Sequence, residues 1–329
     1  MMLRKMGAAL AGLLALFATL LAATAVAAAA DYPERPVTLV VGFPPGGASD
    51  ILARIITDKL GSLLGQPFIV DNRPGAGGNV AGEIVAHAAP DGYTLLLGNN
   101  AILATNITLY GKTGFDPEND FAPITLIGTQ ANVLVVNTDV PAHSLAELIA
   151  LAKANPGKLN FASSGFGLAA HLAGELFKAH AHIDIVHVPY KGSAPALEDV
   201  IAGQDQMMFA TTSGVMGFLK NGQVRALAVT TLKRTSALPD IPTMDEAGLP
   251  GFEATTWHGL VAPAGTPPDI IDTLHRAVVE TLKDASVQQK LAALGVDVAP
   301  DSPDEFAAYI KAEIPKWAAI IKASGAKLE

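Results

Sequence analysis

The chain contains no cysteine. Disulfides, thiolate nucleophiles, cysteine-ligated metals and a lipid anchor on a cysteine are thereby excluded. Basic residues are few, 22 Lys and Arg against 31 Asp and Glu, for a formal net charge of −9. Arg4 and Lys5 lie in the N-terminal leader; without them 20 basic residues face 31 acidic ones, a balance of −11. Such a chain offers no basic surface for nucleic acid, and it must capture anions with local dipoles rather than its overall field. Beyond residue 30 no apolar run reaches the ~20 residues needed to cross a membrane. No Gly-x-Ser-x-Gly nucleophile elbow occurs, and local sequence assembles no Ser/His/Asp set.

What is present starts with a leader. Arg4 and Lys5 precede the apolar segment from Ala8 to Leu21, and small residues follow, with Ala25-Val26-Ala27 or Ala28-Ala29-Ala30 as cleavage sites. That is the pattern of a secretory signal peptide over residues 1–30, with an uncleaved signal anchor as the alternative. The rest is half apolar and rich in Gly and Pro, as a globular α/β protein is, and 329 residues leave room for two domains.

The chain is organised around Val40-Val41-Gly42-Phe43-Pro44-Pro45-Gly46-Gly47-Ala48-Ser49-Asp50. The apolar run Val37 to Val41 reads as a buried strand, and Ile51, Leu52, Ile55, Ile56 and Leu60 recur at helical spacing. A glycine turn opening a helix presents unpaired N–H groups and the positive end of the helix dipole, which suits a small anion. The same residues also serve a tight βα turn with nothing bound. A second glycine loop, Asn72-Arg73-Pro74-Gly75-Ala76-Gly77-Gly78-Asn79, follows the strand Pro67 to Val70 and opens a helix from Val80 to Ala89. It has neither the spacing of a dinucleotide fingerprint nor the Gly-Lys-Ser/Thr of a P-loop. Tyr93 to Gly98 is a third strand, ending at Asn99-Asn100. Three βα units in about 70 residues predict a parallel, doubly wound sheet.

Further on, Ser144 caps a helix from Leu145 to Asn155, and the strand Leu159 to Ser164 runs through Gly165-Phe166-Gly167-Leu168 into a helix from Ala169 to Ala181. This repeats the opening layout about 120 residues later, so the two turns are expected to face each other across a cleft. Leu238 to Phe252, with five Pro or Gly breaks, reads as irregular surface, and Pro315 as a kink or break in the final helix from Pro303 to Ser324. His180, His182 and His187 with Asp184 lack a helical ligand pair, so no metal site is expected. His171 and His258 either touch the cleft or serve local structure, and Arg73 either pairs a ligand carboxylate or fastens its loop. With a catalytic set missing and anion-binding turns recurring, a binding protein fits better than an enzyme.

The motifs resemble those of the tripartite tricarboxylate transporter substrate-binding proteins, the Bug family. The resemblance rests on Val41-Gly42-Phe43-Pro44-Pro45-Gly46-Gly47 with Asp50, on the loop Asn72 to Asn79, on Ala89 to Leu95, and on Val188-Pro189-Tyr190-Lys191-Gly192. Arg225 to Thr230, Pro242-Thr243 with Glu246-Ala247-Gly248, and Ala262 to Pro267 extend it over the whole mature chain in order. It implies a two-lobed, type II-like periplasmic binding protein, each lobe a largely parallel sheet flanked by helices, joined by a hinge of crossing strands. Residues 31–131 and 253–329 would form one lobe and 132–252 the other. A ligand carboxylate would sit between Phe43, Pro45, Gly46, Gly47, Ala48, Ser49 and Asp50 on one side and Ser163, Ser164, Gly165, Phe166, Gly167, Leu168 and His171 on the other. Gly98, Asn99, Asn100, Tyr190, Ala210, Thr211 and Trp257 would surround the rest of the ligand. The implied protein is a monomer without cofactor or metal that passes a small organic carboxylate, aromatic or dicarboxylate, to membrane components of such a transporter. An enzyme acting on a carboxylic acid and a ligand-presenting partner of a membrane sensor are the other readings. Two departures bear on specificity. Phe166 and Leu168 stand where the family often has small polar residues, which favours an apolar or aromatic ligand body. Ala210 stands where the family commonly has an aspartate, which disfavours a ligand carrying an amino group.

Overall fold

The computed structural model describes residues 32–165, 167–190 and 192–324; the leader and Phe166 lie outside these. In chain order the elements are β1 (Val37–Val41), α1 (Ala48–Leu64), β2 (Phe68–Asn72), α2 (Asn79–Ala86) and β3 (Thr94–Asn99). A π-helical turn (Ala101–Thr105) leads to α3 (Asn106–Leu109), β4 (Phe121–Gln130) and β5 (Asn132–Asn137). Then come α4 (Leu145–Ala154), β6 (Asn160–Ser163), α5 (Ala169–Ala181), β7 (Val186–Pro189), α6 (Ser193–Ile201), β8 (Met207–Thr211), α7 (Thr212–Lys220) and β9 (Val224–Val229). The chain closes with β10 (Thr256–Pro263), α8 (Pro268–Lys283), α9 (Ala285–Ala293), β11 (Val296–Val298) and α10 (Pro303–Ser324).

These strands build two sheets, one per lobe of a two-lobed α/β fold. The first has the order β11-β4-β10-β3-β1-β2 and the second β7-β6-β8-β5-β9. Both are mixed, which corrects the expectation of largely parallel sheets. In the first, β2, β1, β3 and β4 run one way, and β10 and β11 run antiparallel to them. In the second, β7, β6 and β8 are parallel and β5 is antiparallel to β8 and β9. Two of the reversed strands, β5 and β10, lie beside the crossings. Only Ala131 separates β4 in one sheet from β5 in the other, and β10 begins where the chain has returned.

Local chemistry explains the helix ends. Ser144 accepts the Glu147 N–H at the start of α4, and Asp284 accepts those of Ser286 and Val287 at the start of α9. On α8, Ile271, Leu274, Val278 and Leu282 form one buried face against Leu39, Leu52, Ile56 and Leu60. The other face of the first sheet shares a core with the second lobe. There Val40, Leu96, Ile102 and Leu103 join Leu172, Leu176 and Phe177 of α5 and Phe306, Ile310, Trp317 and Ile321 of α10.

Two expectations are corrected here. Helix α10 continues through Pro315, so the chain does not break there. A proline inside a helix costs about 3 kcal/mol, and four large side chains on the buried face of α10 offset it. The turn-rich stretch from Leu238 to Phe252 is not confined to the surface, since Met244, Leu249 and Phe252 are buried. The N–H of Met244 donates to the Val229 carbonyl and that of Val229 to the Pro242 carbonyl, so the stretch docks against β9.

Candidate functional site

Both expected turns sit at the C-terminal ends of parallel strands, where open α/β sheets place their ligands. At the first, Gly46 has φ +82°, a conformation that side chains with a Cβ rarely adopt. Gly47 occupies the N-cap position of α1, and no side chain caps that helix. The N–H groups of the first turn of an uncapped helix are left for an outside acceptor. Asp50 does not fill that role from outside, because its carboxylate is buried and turned inward. It accepts from the Gly46 N–H at 2.9 Å, from Asn72 Nδ2 at 3.0 Å and from Arg54 Nε at 3.1 Å. The Arg54 bond and those of Gly46 and Asn72 hold its pKa below the usual carboxylate range, against the opposing effect of burial. Asn72 Nδ2 also donates to the Phe43 carbonyl at 3.0 Å, so the loop from Phe43 to Gly46 is tied to both β2 and α1.

The second turn is built on the same plan with different groups. Gly165 and Gly167 have φ +141° and +73°, and α5 starts after Leu168 without a side-chain cap. Ser163 Oγ accepts the Gly165 N–H at 3.1 Å and lies 2.6 Å from His187 Nε2. The Gly167 N–H donates to His171 Nδ1 at 2.9 Å. His171 and His187 stack with ring centroids 4.0 Å apart. Burial lowers the pKa of His171 to about 3, helped by the charges of His187 and Lys178, and that of His187 to about 4, helped by Lys178. A neutral His171 is what the Gly167 bond requires, since Nδ1 must keep its lone pair.

A path of contacts through α3 links the two turns. A Cβ on Gly167 would lie 3.0 Å from Leu109 Cδ1, which places the second turn against α3 of the first lobe. Asn106 of α3 donates to the Gly77 carbonyl at 3.1 Å, and the neighbouring Gly78 packs against Phe43 of the first turn. Leu168, 51% exposed, stands at the start of α5. Pro45, Gly46, Gly47 and Ala48 are exposed, and Ser164 and Gly165 half-buried.

Ser49 links the first turn to the returning strand. Its Oγ lies 3.0 Å from Nε2 of the buried His258, whose Nδ1 has no partner. Burial lowers the His258 pKa to about 4, so the ring is neutral. With the proton on Nε2, donating to Ser49, the orphan is a bare acceptor, which costs less than a buried unpaired N–H. Ser49 then keeps its own proton to give. Across β10, His258 pairs in register with Asn99, and Asn99 Oδ1 accepts the Ile102 N–H at 3.1 Å. Gly98, Asn99 and Asn100 are all buried at the end of β3.

Other expected residues are committed to partners of their own. Trp257 is fully buried, and its Nε1–H donates to Glu313 Oε2 at 3.1 Å; Trp317 donates to the same oxygen at 2.7 Å. Its side chain therefore belongs to the core beneath the cleft. The Tyr190 hydroxyl points at two carboxylates, Asp199 and Asp205, each at 2.6 Å. Burial and those two bonds push its pKa up. Ala210 and Thr211 end β8 beside α6 and α7. Arg73 pairs with Asp71 at 2.9 Å on the surface. No motif announced the supporting bonds of Asn72 to Asp50 and of His187 to Ser163, whose partners lie across βα connections; the Arg54 bond to Asp50 is an i, i+4 pair within α1.

Two lobes on separate sheets, with an uncapped helix start at a strand end of each, give the two-lobed α/β architecture of solute-binding proteins. A family model described as tripartite tricarboxylate transporter family receptor matches residues 52–326. The chain belongs to that receptor family. Protein BugT of Bordetella pertussis is 38% identical over 321 residues, 96% of this chain and 98% of BugT. Among solved structures, R. palustris Rpa4515 with adipate is 40% identical with a TM-score of 0.75, covering 90% of this chain and all of that one. MatC (Rpa3494) from Rhodopseudomonas palustris with bound malate is 35% identical with a TM-score of 0.71, covering 88% of this chain and all of that one. The family is one of receptors, and the two solved neighbours hold small carboxylates, adipate and malate.

Proposed function

We propose that the protein is exported to the periplasm through a cleaved signal peptide, captures a small organic carboxylate between its lobes and hands it, as a monomer, to the membrane components of a tripartite tricarboxylate transporter. In this reading residues 31–131 with 253–329 move as one body and 132–252 as the other. The observation that carries it is the pair of uncapped helix starts, α1 and α5, whose nearby polar side chains are spent on holding the turns. Asp50, His171 and Ser163 satisfy loop groups, which leaves main-chain N–H groups as the donors for an anion. Adipate in one neighbour and malate in another support a carboxylate as that anion. A ligand touching both lobes favours the closed form by its differential affinity for it, so capture and closure are one step.

The test is a thermal-shift screen of the purified mature protein with aliphatic, aromatic and hydroxylated mono-, di- and tricarboxylates. A bound acid at ~100 times its Kd adds about 2.7 kcal/mol of stability. At least one class of acid is expected to raise the melting temperature while the matching amides do not. A panel with no shift at millimolar concentration would contradict the proposal.

A further inference from the structure

Beside the second turn the second lobe carries a cavity of about 260 Å³, lined by Leu197, Met208, Ala210 and Phe218 inside and by Ser193, Glu198 and Gly214 toward its rim. We propose that this cavity is an apolar subsite that receives the tail of the ligand, and that the protein's ligand is a monocarboxylate with an aliphatic or aromatic body. The proposal rests on the carboxylate reading above and adds the chemistry of the other end.

The strand register places the cavity. In β8, Met208 and Ala210 face the same side, and both belong to the core cluster with Ala196, Leu197 and Val215 of the flanking helices. Met208 is the register partner of Ala162, one residue before Ser163, so the C-terminal end of β8 lies next to the second turn. The Tyr190 N–H donates to the Ser163 carbonyl at 2.9 Å and the Gly192 N–H to that of Ser164 at 3.1 Å. Ser193 follows directly and opens α6, which puts the mouth of the cavity beside the turn that would hold the carboxylate. An apolar tail can thus descend between the starts of α6 and α7 while its carboxylate stays at the strand ends.

Its size and lining select the tail. An apolar cavity of ~150 Å³ takes a benzene ring, so 260 Å³ accepts a phenyl group or a short alkyl chain. Among the described lining residues there is no Lys or Arg to meet a second carboxylate, and the ionisable one at the rim is Glu198, which repels it. An Asp in place of Ala210 would put a charge over the opening; alanine keeps it apolar. Burying methylenes is worth about a fourfold gain in affinity for each.

The experiment is calorimetric titration of the mature protein with straight-chain monocarboxylates from acetate to octanoate, with benzoate, and with dicarboxylates of matched length. Affinity is expected to rise about fourfold per methylene until the chain fills the cavity, and monocarboxylates are expected to bind tighter than matched dicarboxylates. Ala210→Leu, which fills the cavity, should flatten the dependence on length. Because that residue is buried, a second variant is needed: Glu198→Lys, at an exposed position, should shift preference toward dicarboxylates by up to about fivefold. An affinity independent of chain length, or dicarboxylates bound more tightly by the unaltered protein, would overturn the subsite and leave carboxylate capture standing. If no acid in the series binds, carboxylate capture itself falls.

Discussion

Single residues around the cleft serve geometry more than charge. His171 holds Gly167, His187 abuts Ser163 and His258 abuts Ser49, and all three rings depend on being neutral. Their pKa values in the folded chain, about 3, 4 and 4, lie below the ordinary 6.5. Between those values and 6.5 the unfolded chain binds more protons, so stability from these groups is complete above pH 6.5 and declines as the pH falls toward 4. Imidazole proton resonances followed by NMR should show none of the three titrating above pH 5; a midpoint near 6.5 for any of them would contradict its burial. Ser49→Ala removes the hydroxyl that His258 orients. If that hydroxyl gives a charge-assisted bond to the ligand, titration should show a loss of about tenfold or more. Arg73, by contrast, is occupied by Asp71 at the surface, and Arg73→Ala should change affinity less than threefold.

At the scale of elements, backbone conformation carries the site. Gly46 and Gly165 have positive φ, whereas Gly47 has φ −77°, which any residue adopts. Gly46→Val and Gly165→Val should therefore weaken binding by tenfold to a hundredfold, measured by calorimetry on variants with native circular dichroism. Gly47→Val tests close approach alone, since a Cβ there lies an ordinary 3.4 Å from the Pro44 carbonyl oxygen. Beneath the cleft, Glu313 joins β10 to α10 by accepting from both tryptophans, with Lys316 at 2.7 Å on its other oxygen. Glu313→Ala strands two buried indole N–H groups and should cost about 3 kcal/mol in chemical denaturation. Much of this layout was legible in the sequence. The helix from Ala169 to Ala181 occupies its expected span, and the strand–glycine–helix pattern located both turns. Strand direction was not legible, because strands buried on both faces read as apolar runs whichever way they run. Trp257 was placed around the ligand by resemblance alone, and nothing local reveals its bond to Glu313, 56 residues away.

For the whole molecule the question is whether both lobes grip one ligand. The shared core under α5 and α10 limits how far the lobes can part, so closure is expected to be a modest rotation about the crossings at Ala131 and between β9 and β10. Small-angle scattering should report a smaller radius of gyration with saturating ligand than without. The most direct measurement is a titration of the ¹⁵N-labelled protein with the best-binding carboxylate, following backbone amide resonances. The account predicts that the N–H protons of Ala48, Ser49 and Asp50 in one lobe and of Ala169, Ala170 and His171 in the other shift downfield with a common midpoint. Shifts confined to one of the two turns, or to neither, would contradict the capture of a carboxylate by main-chain donors from both lobes.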